Sequence, residues 1–371
     1  MFEHDHNNMI FLRILAFLIG TALIGWAIFS IVQTLVLPRN AQDKLARMLF
    51  VSIRGIFSIA LRWLRTYEER DRLMAFYAPV GMLSLVPAWL ILFLLGYTGM
   101  FWSLGEHTWL ESFRISGSSL LTLGFAASTS VPSALLEFSE AALGLMTVAL
   151  LIAYLPTMYA AFSRREAAVT LLDVRAGNPP SATQMLARYH RIHGLDQLKE
   201  QWQIWEAWFA DIEESHTSLP AMIFFRSPKP DHSWIIAAGT VLDTASLTLS
   251  ALDITASPNA ALCIRAGFLA LRHIADFFNI SYPTDPHYPD QAISITRQEF
   301  DQACDELKSQ GIPIKTDLSQ AWQDFAGWRV NYDQVLLAFA DLTMAPASPW
   351  IRNRSVKTLA SPDILMEARQ E

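Results

Sequence analysis

The sequence predicts an all-α membrane protein: three transmembrane helices with one re-entrant loop between the second and third, then a soluble helical domain. Three observations predict it. The long apolar runs lie before Phe162, whereas prolines and acidic residues gather after it. Lys and Arg partition unevenly among the segments that join those runs. Beyond Arg165, apolar residues recur at helical spacing, with no sustained alternation that would demand a sheet and no internal repeat.

Three stretches exceed the ~20 residues needed to cross a hydrocarbon core of ~30 Å. The first covers residues 9–37 and holds Arg13 as its one charge. The second covers 74–104. The third covers 132–162, with Glu137 and Glu140 near its start and Pro156 near its end. The opening residues lack the basic region of a secretory leader, and the apolar stretch after them is too long for one, so the first span is expected to persist.

Orientation follows from the basic residues. Arg39, Lys44, Arg47, Arg54, Arg62, Arg65, Arg70 and Arg72 lie between the first two spans, and Arg164 and Arg165 follow the third. Only Arg114 lies between the second and third. The positive-inside rule therefore places the first connection and the long C-terminal part in the cytoplasm of a multi-pass cell-membrane protein, plasma or bacterial inner membrane. Within the first connection, residues 41–65 predict an amphipathic helix. Arg47, Arg54, Ser58, Arg62 and Arg65 share one face, and Leu49, Phe50, Ile53, Phe57, Leu61 and Leu64 share the other. Such a helix is expected at the inner membrane surface, with its arginines near anionic headgroups.

A net charge of −7 with no dense basic patch gives no basis for nucleic-acid binding. Cys263 and Cys304 are too few for a disulfide framework and read as free thiols in a reducing compartment.

Residues 109–128 lie between two spans. They are too short to cross and return as two full helices and too apolar for an aqueous loop. A short helix that dips in and leaves as extended backbone fits. Non-helical backbone at membrane depth survives where protein buries it or where it lines a watery path. Extended backbone with carbonyls facing an axis can replace an ion's hydration shell. Thr122, Leu123, Gly124 and Phe125 would supply those carbonyls, and the Thr122 hydroxyl one further oxygen. Glycine at 124 suits positive φ or close packing.

Over residues 75–162, span, short helix, Thr122-Leu-Gly-Phe125 and span resemble the pore module of the potassium-channel superfamily, whose filter reads Thr-Val-Gly-Tyr-Gly. Ser118 matches the hydroxyl residue that family often carries four positions before the filter threonine. The resemblance implies a homotetramer around one pore, with no cofactor beyond the permeant potassium or other monovalent cation. Ala126 stands where the family has its second glycine, and Ala127 where an aspartate usually follows. An alanine in a left-handed conformation at 126 would cost about 1–2 kcal/mol. In the third span, Gly144 and Pro156 are candidate gating hinges, or else small-residue packing positions. Glu137 and Glu140 read as partners of Arg114, with attraction of cations near the filter as the alternative.

The chain thus divides into 1–73 (first span and amphipathic helix), 74–165 (pore module) and 166–371 (cytosolic helical domain). The last part has no Gly-x-Gly-x-x-Gly and no Walker loop. A connector over 173–180 is followed by helices expected near 181–189, 195–212, 234–254, 259–278, 297–309 and 318–342. Ser181, Asp196, Ser257 and the Thr296–Glu299 pair are start signals. Residues 280–290 read as a loop, and those from Pro346 onward as weakly ordered. His190 and His193 lack a third metal ligand nearby and read as surface residues. Trp202, Trp205, Trp208 and Phe209 read as a packing face. Asp243, Asp253, Arg265, Arg272, His273 and Asp276 read as members of buried ion pairs between helices, with a binding site as the alternative. No nucleophile has an identifiable partner, so no enzyme is expected. The alternative to a channel is a membrane-anchored scaffold or signalling protein whose helical domain binds partners.

Overall fold

The structure, a computed structural model, describes residues 2–37, 43–255 and 257–351. Helix makes up 75% of the chain, and no strand occurs among the described residues. Apolar length produces three helices long enough to cross a membrane. They are α1 (Phe2–Ile31, extended by a π-helical stretch at Val32–Val36), α4 (Tyr77–Ser103) and α6 (Val131–Ala176). Between them lie α2 (Lys44–Leu61), α3 (Tyr67–Met74) and α5 (Trp109–Leu120).

The chain forms two compact units. Residues Met1–Ala60 with Phe76–Tyr159 make the first, and Leu61–Ala75 with Ala160–Glu371 the second. Most of the expected segments 1–73 and 74–165 therefore share one unit.

In the first unit, glycines bring α1 against α4. A Cβ on Gly20 would lie 2.4 Å from the Gly96 carbonyl oxygen, and one on Gly96 would lie 2.9 Å from that of Gly20. Small residues at matched heights let two backbones touch where lipid supplies no hydrophobic drive. Arg13 lies over Gly105, just past the end of α4, where a cation meets the negative end of a helix. Asp43 starts α2: it accepts the Leu45 and Ala46 amides at 3.1 and 3.0 Å and the Ser30 and Thr34 hydroxyls at 2.5 and 3.1 Å. Trp89 Nε1 completes the cluster by donating to Ser30 Oγ at 2.8 Å. The aromatic side of α2 faces protein, since the Phe50 and Phe57 rings meet Tyr77 edge-on at 6.0 and 5.7 Å.

In the second unit, α6 continues to Ala176, past the expected end at 162 and into the expected connector. Gly177, at φ +85°, follows its last residue. The remaining helices are α7 (Ala182–Arg191), α8 (Leu198–Ser218), α9 (Trp234–Ser250), α10 (Pro258–Phe277), α11 (Arg297–Ser309), α12 (Leu318–Arg329) and α13 (Asp333–Thr343). Ser181 caps α7 through the Gln184 amide, and Thr296 with Glu299 forms a capping box on α11. Asp196 caps nothing: it sits inside a 3-10 turn, Leu195–Gln197, that precedes α8. Ser257 precedes α10 without a side-chain cap. The unforeseen α3 begins at a capping box of Thr66 and Glu69.

The single helix expected over 318–342 is two. Asn331 Nδ2 donates to the Gly327 carbonyl at 2.9 Å, offering the backbone an alternative to the helical ladder. The break turns Arg329, Tyr332 and Asp333 inward. Buried Arg329 donates to Asp243, to Asp333 at 2.7 Å and to the Trp350 carbonyl at 3.2 Å. Tyr332 donates to Asp243 at 2.8 Å, and Ser294 donates twice to Asp333. Asp243 thus belongs to a buried ion pair as expected, whereas Arg272 bonds the carbonyls of Asn331 and Thr284. Ile351 is buried over Gly239, so order persists beyond Pro346. Residues from 352 lie outside the described part.

Arg165, expected to mark the end of a span, is fully buried and donates to the Met222 and Phe225 carbonyls at 2.8 and 2.6 Å. His216 Nε2 lies 3.3 Å from Arg165 Nη1, and its Nδ1 lies 2.9 Å from the Ile212 carbonyl. Burial, then the neighbouring guanidinium, holds this imidazole well below its ordinary 6.5. The unfolded chain takes up a proton that the folded chain refuses. Stability is therefore fully present above pH 6.5 and falls as pH drops through it, by at most about 1.4 kcal/mol per pH unit. Thermal melts are expected to show a lower Tm at pH 5 than at pH 7.5, with His216→Gln narrowing the gap. An equal gap in both proteins contradicts this.

Candidate functional site

The candidate site begins where α5 ends. A capping box of Thr108 and Glu111 starts this helix. Its last turn closes through two backbone bonds: Thr122 N to the Ser119 carbonyl at 3.0 Å, and Leu123 N to the Ser118 carbonyl at 2.8 Å. This is the double closure that normally places glycine at the left-handed position. Here that residue is Thr122, at φ +53°. A β-branched side chain in that region is strained, by about 1–2 kcal/mol. Backbone strain of this kind gathers at functional sites.

Gly124 follows at φ +71°, while Leu123 and Phe125 are not among the positive-φ residues. The sign of φ therefore alternates over Thr122–Phe125.

Ser118 holds both ends of the segment. Its carbonyl takes the Leu123 amide, and its Oγ accepts the Ala126 amide at 3.1 Å. The strain expected at Ala126 does not arise, because Ala126 lacks positive φ; it sits at Thr122. Arg114 lies 5.9 Å from the centroid of the Phe125 ring. The expected pairing of Arg114 with the glutamates is absent from their described bonds. Glu137 accepts the Ser128 amide at 2.6 Å, and fully buried Glu140 takes the Ser116 hydroxyl at 2.5 Å. Ser116 Oγ also lies 3.2 Å from the Leu94 carbonyl, so one serine joins α4, α5 and α6. Sequence reasoning passed over Ser116. Its signal was a serine on an apolar helix, opposite a carboxylate in an apolar span.

Gly144 and Pro156 both lie inside the unbroken α6. Gly144 has a packing contact: a Cβ there would lie 2.6 Å from the Leu120 carbonyl oxygen, at the end of α5. The loop itself is bare in a single chain, with Leu123 60% and Phe125 58% exposed.

No family model matches the chain, and neither a curated protein nor a solved structure does. Its chemistry must be read from the geometry alone. Among the described residues, no cluster of three or more His, Cys, Asp or Glu could hold a metal ion. What the segment offers is oxygen without net charge: four carbonyls and the Thr122 hydroxyl. Such ligands suit a weakly held monovalent cation.

Proposed function

We propose that the chain is one subunit of a homotetrameric channel that passes monovalent cations, chiefly potassium. In this reading Trp109–Leu120 is a pore helix and the segment after it a re-entrant filter. The alternating φ of Thr122–Phe125, clamped by Ser118 between two membrane-length helices, carries the reading.

The bareness of the loop adds to it. Non-helical backbone at membrane depth must be buried in protein or line water. One copy supplies neither, whereas four copies around an axis supply both. Each cation would exchange water for carbonyl oxygens at successive positions, and transport would be passive. Ala126 and Ala127 would give the outer mouth a geometry unlike that of a strict potassium filter. The second unit would lie in the cytoplasm, joined to the pore through the unbroken α6. Membrane lipid would surround the three spans.

Native mass spectrometry of the detergent-solubilised protein is expected to show four copies. A folded, stable monomer contradicts the pore and favours a membrane-anchored scaffold.

A further inference from the structure

We propose that the outward face of α2 is a docking surface for the headgroup region of an anionic lipid bilayer. The helix is apolar on two sides. Its inner side carries the Phe50 ring, which packs against Gly81, and the Phe57 ring, which meets Tyr77; the opposite side starts at Leu45, which is buried. Its outer side carries Met48, Ile56 and Ile59, which are 56%, 66% and 59% exposed. These three lie eight and three residues apart, on one helical face, with Ser52 between them. This is not the face that the arginine spacing assigned to lipid, because Phe50 and Phe57 are spent on Tyr77.

Position and charge identify the occupant. The start of α2 is pinned by Asp43 to Ser30 and Thr34, in the last turns of a membrane-length helix, so the surface begins where that helix ends. Lys44, Arg47 and Arg54 are its charged residues, and α2 holds no Asp or Glu. Arg54 turns inward to Tyr77, which leaves exposed Lys44 and Arg47 beside the apolar stripe, a pattern that suits an interfacial helix on anionic lipid. A second copy docking through the same face would set like charge against like charge.

The test needs no ion flux, so it stands apart from the channel reading. Cys263 and Cys304 are both buried, so an Ile59→Cys variant of the full chain can be labelled selectively with a polarity-sensitive fluorophore. Reconstituted in nanodiscs, its emission is expected at shorter wavelength in phosphatidylcholine–phosphatidylglycerol than in phosphatidylcholine alone. Lys44→Gln, at an exposed position beside the stripe, is expected to reduce that difference, with the thermal melt unchanged. Water-like emission in both lipids overturns the proposal. So does short-wavelength emission that persists unchanged in detergent, which would mean that another copy covers the face.

Discussion

Arg329→Met is expected to unfold the second unit. The guanidinium is the one described cation bonded to both Asp243 and Asp333, and all three side chains are buried. Removing it leaves two carboxylates that lose their charge partner, a change that costs about 3–5 kcal/mol in comparable buried pairs. Whole domains are stable by only about 5–15 kcal/mol, so little stability remains. The Tyr332 and Ser294 hydroxyls cannot replace the lost charge. Denaturant titration followed by tryptophan fluorescence is expected to show an early or non-cooperative transition. A midpoint equal to that of the parent contradicts the role given to this network.

Gly144→Val is expected to lower both stability and cation flux. The new side chain meets a backbone oxygen at 2.6 Å, which cannot rotate away, so α6 must part from the end of α5. Overpacking of this kind costs about 1–3 kcal/mol. Leu120, whose carbonyl is struck, lies two residues before strained Thr122, so the shift reaches Thr122–Phe125. Gly25→Ala is the matched control, because a Cβ there meets nothing within 4 Å. A hinge at Gly144 would behave differently: flux would change while the melt stayed where it was.

The legible features were those that local spacing determines. Apolar length exposed the three long helices, and the Thr296–Glu299 interval exposed a capping box. The break between α12 and α13 was not legible, because apolar residues keep helical spacing across it. Asn331 and the inward turn of Arg329, Tyr332 and Asp333 decide it, and their partner Asp243 lies 86 residues before Arg329 in the chain.

At the site, residue type pointed to Gly124 and Ser118. It could not show that Thr122 takes a left-handed conformation, because that depends on how α5 closes. Nor could it pair Glu140 with Ser116, which are 24 residues apart on different helices. The expected strain at Ala126 came from a resemblance of letters, and the backbone of this chain places it four residues earlier.

Potassium flux into proteoliposomes tests the pore most directly. The parent protein is expected to pass potassium well above the rate of empty vesicles, and Gly124→Asp to abolish the flux. A Cβ at Gly124 meets nothing within 4 Å in a single chain, and aspartate tolerates positive φ, so this variant is expected to fold and assemble. Its loss of flux would then come from a carboxylate placed among the filter carbonyls. A parent protein that folds and assembles yet passes no more potassium than empty vesicles contradicts the pore.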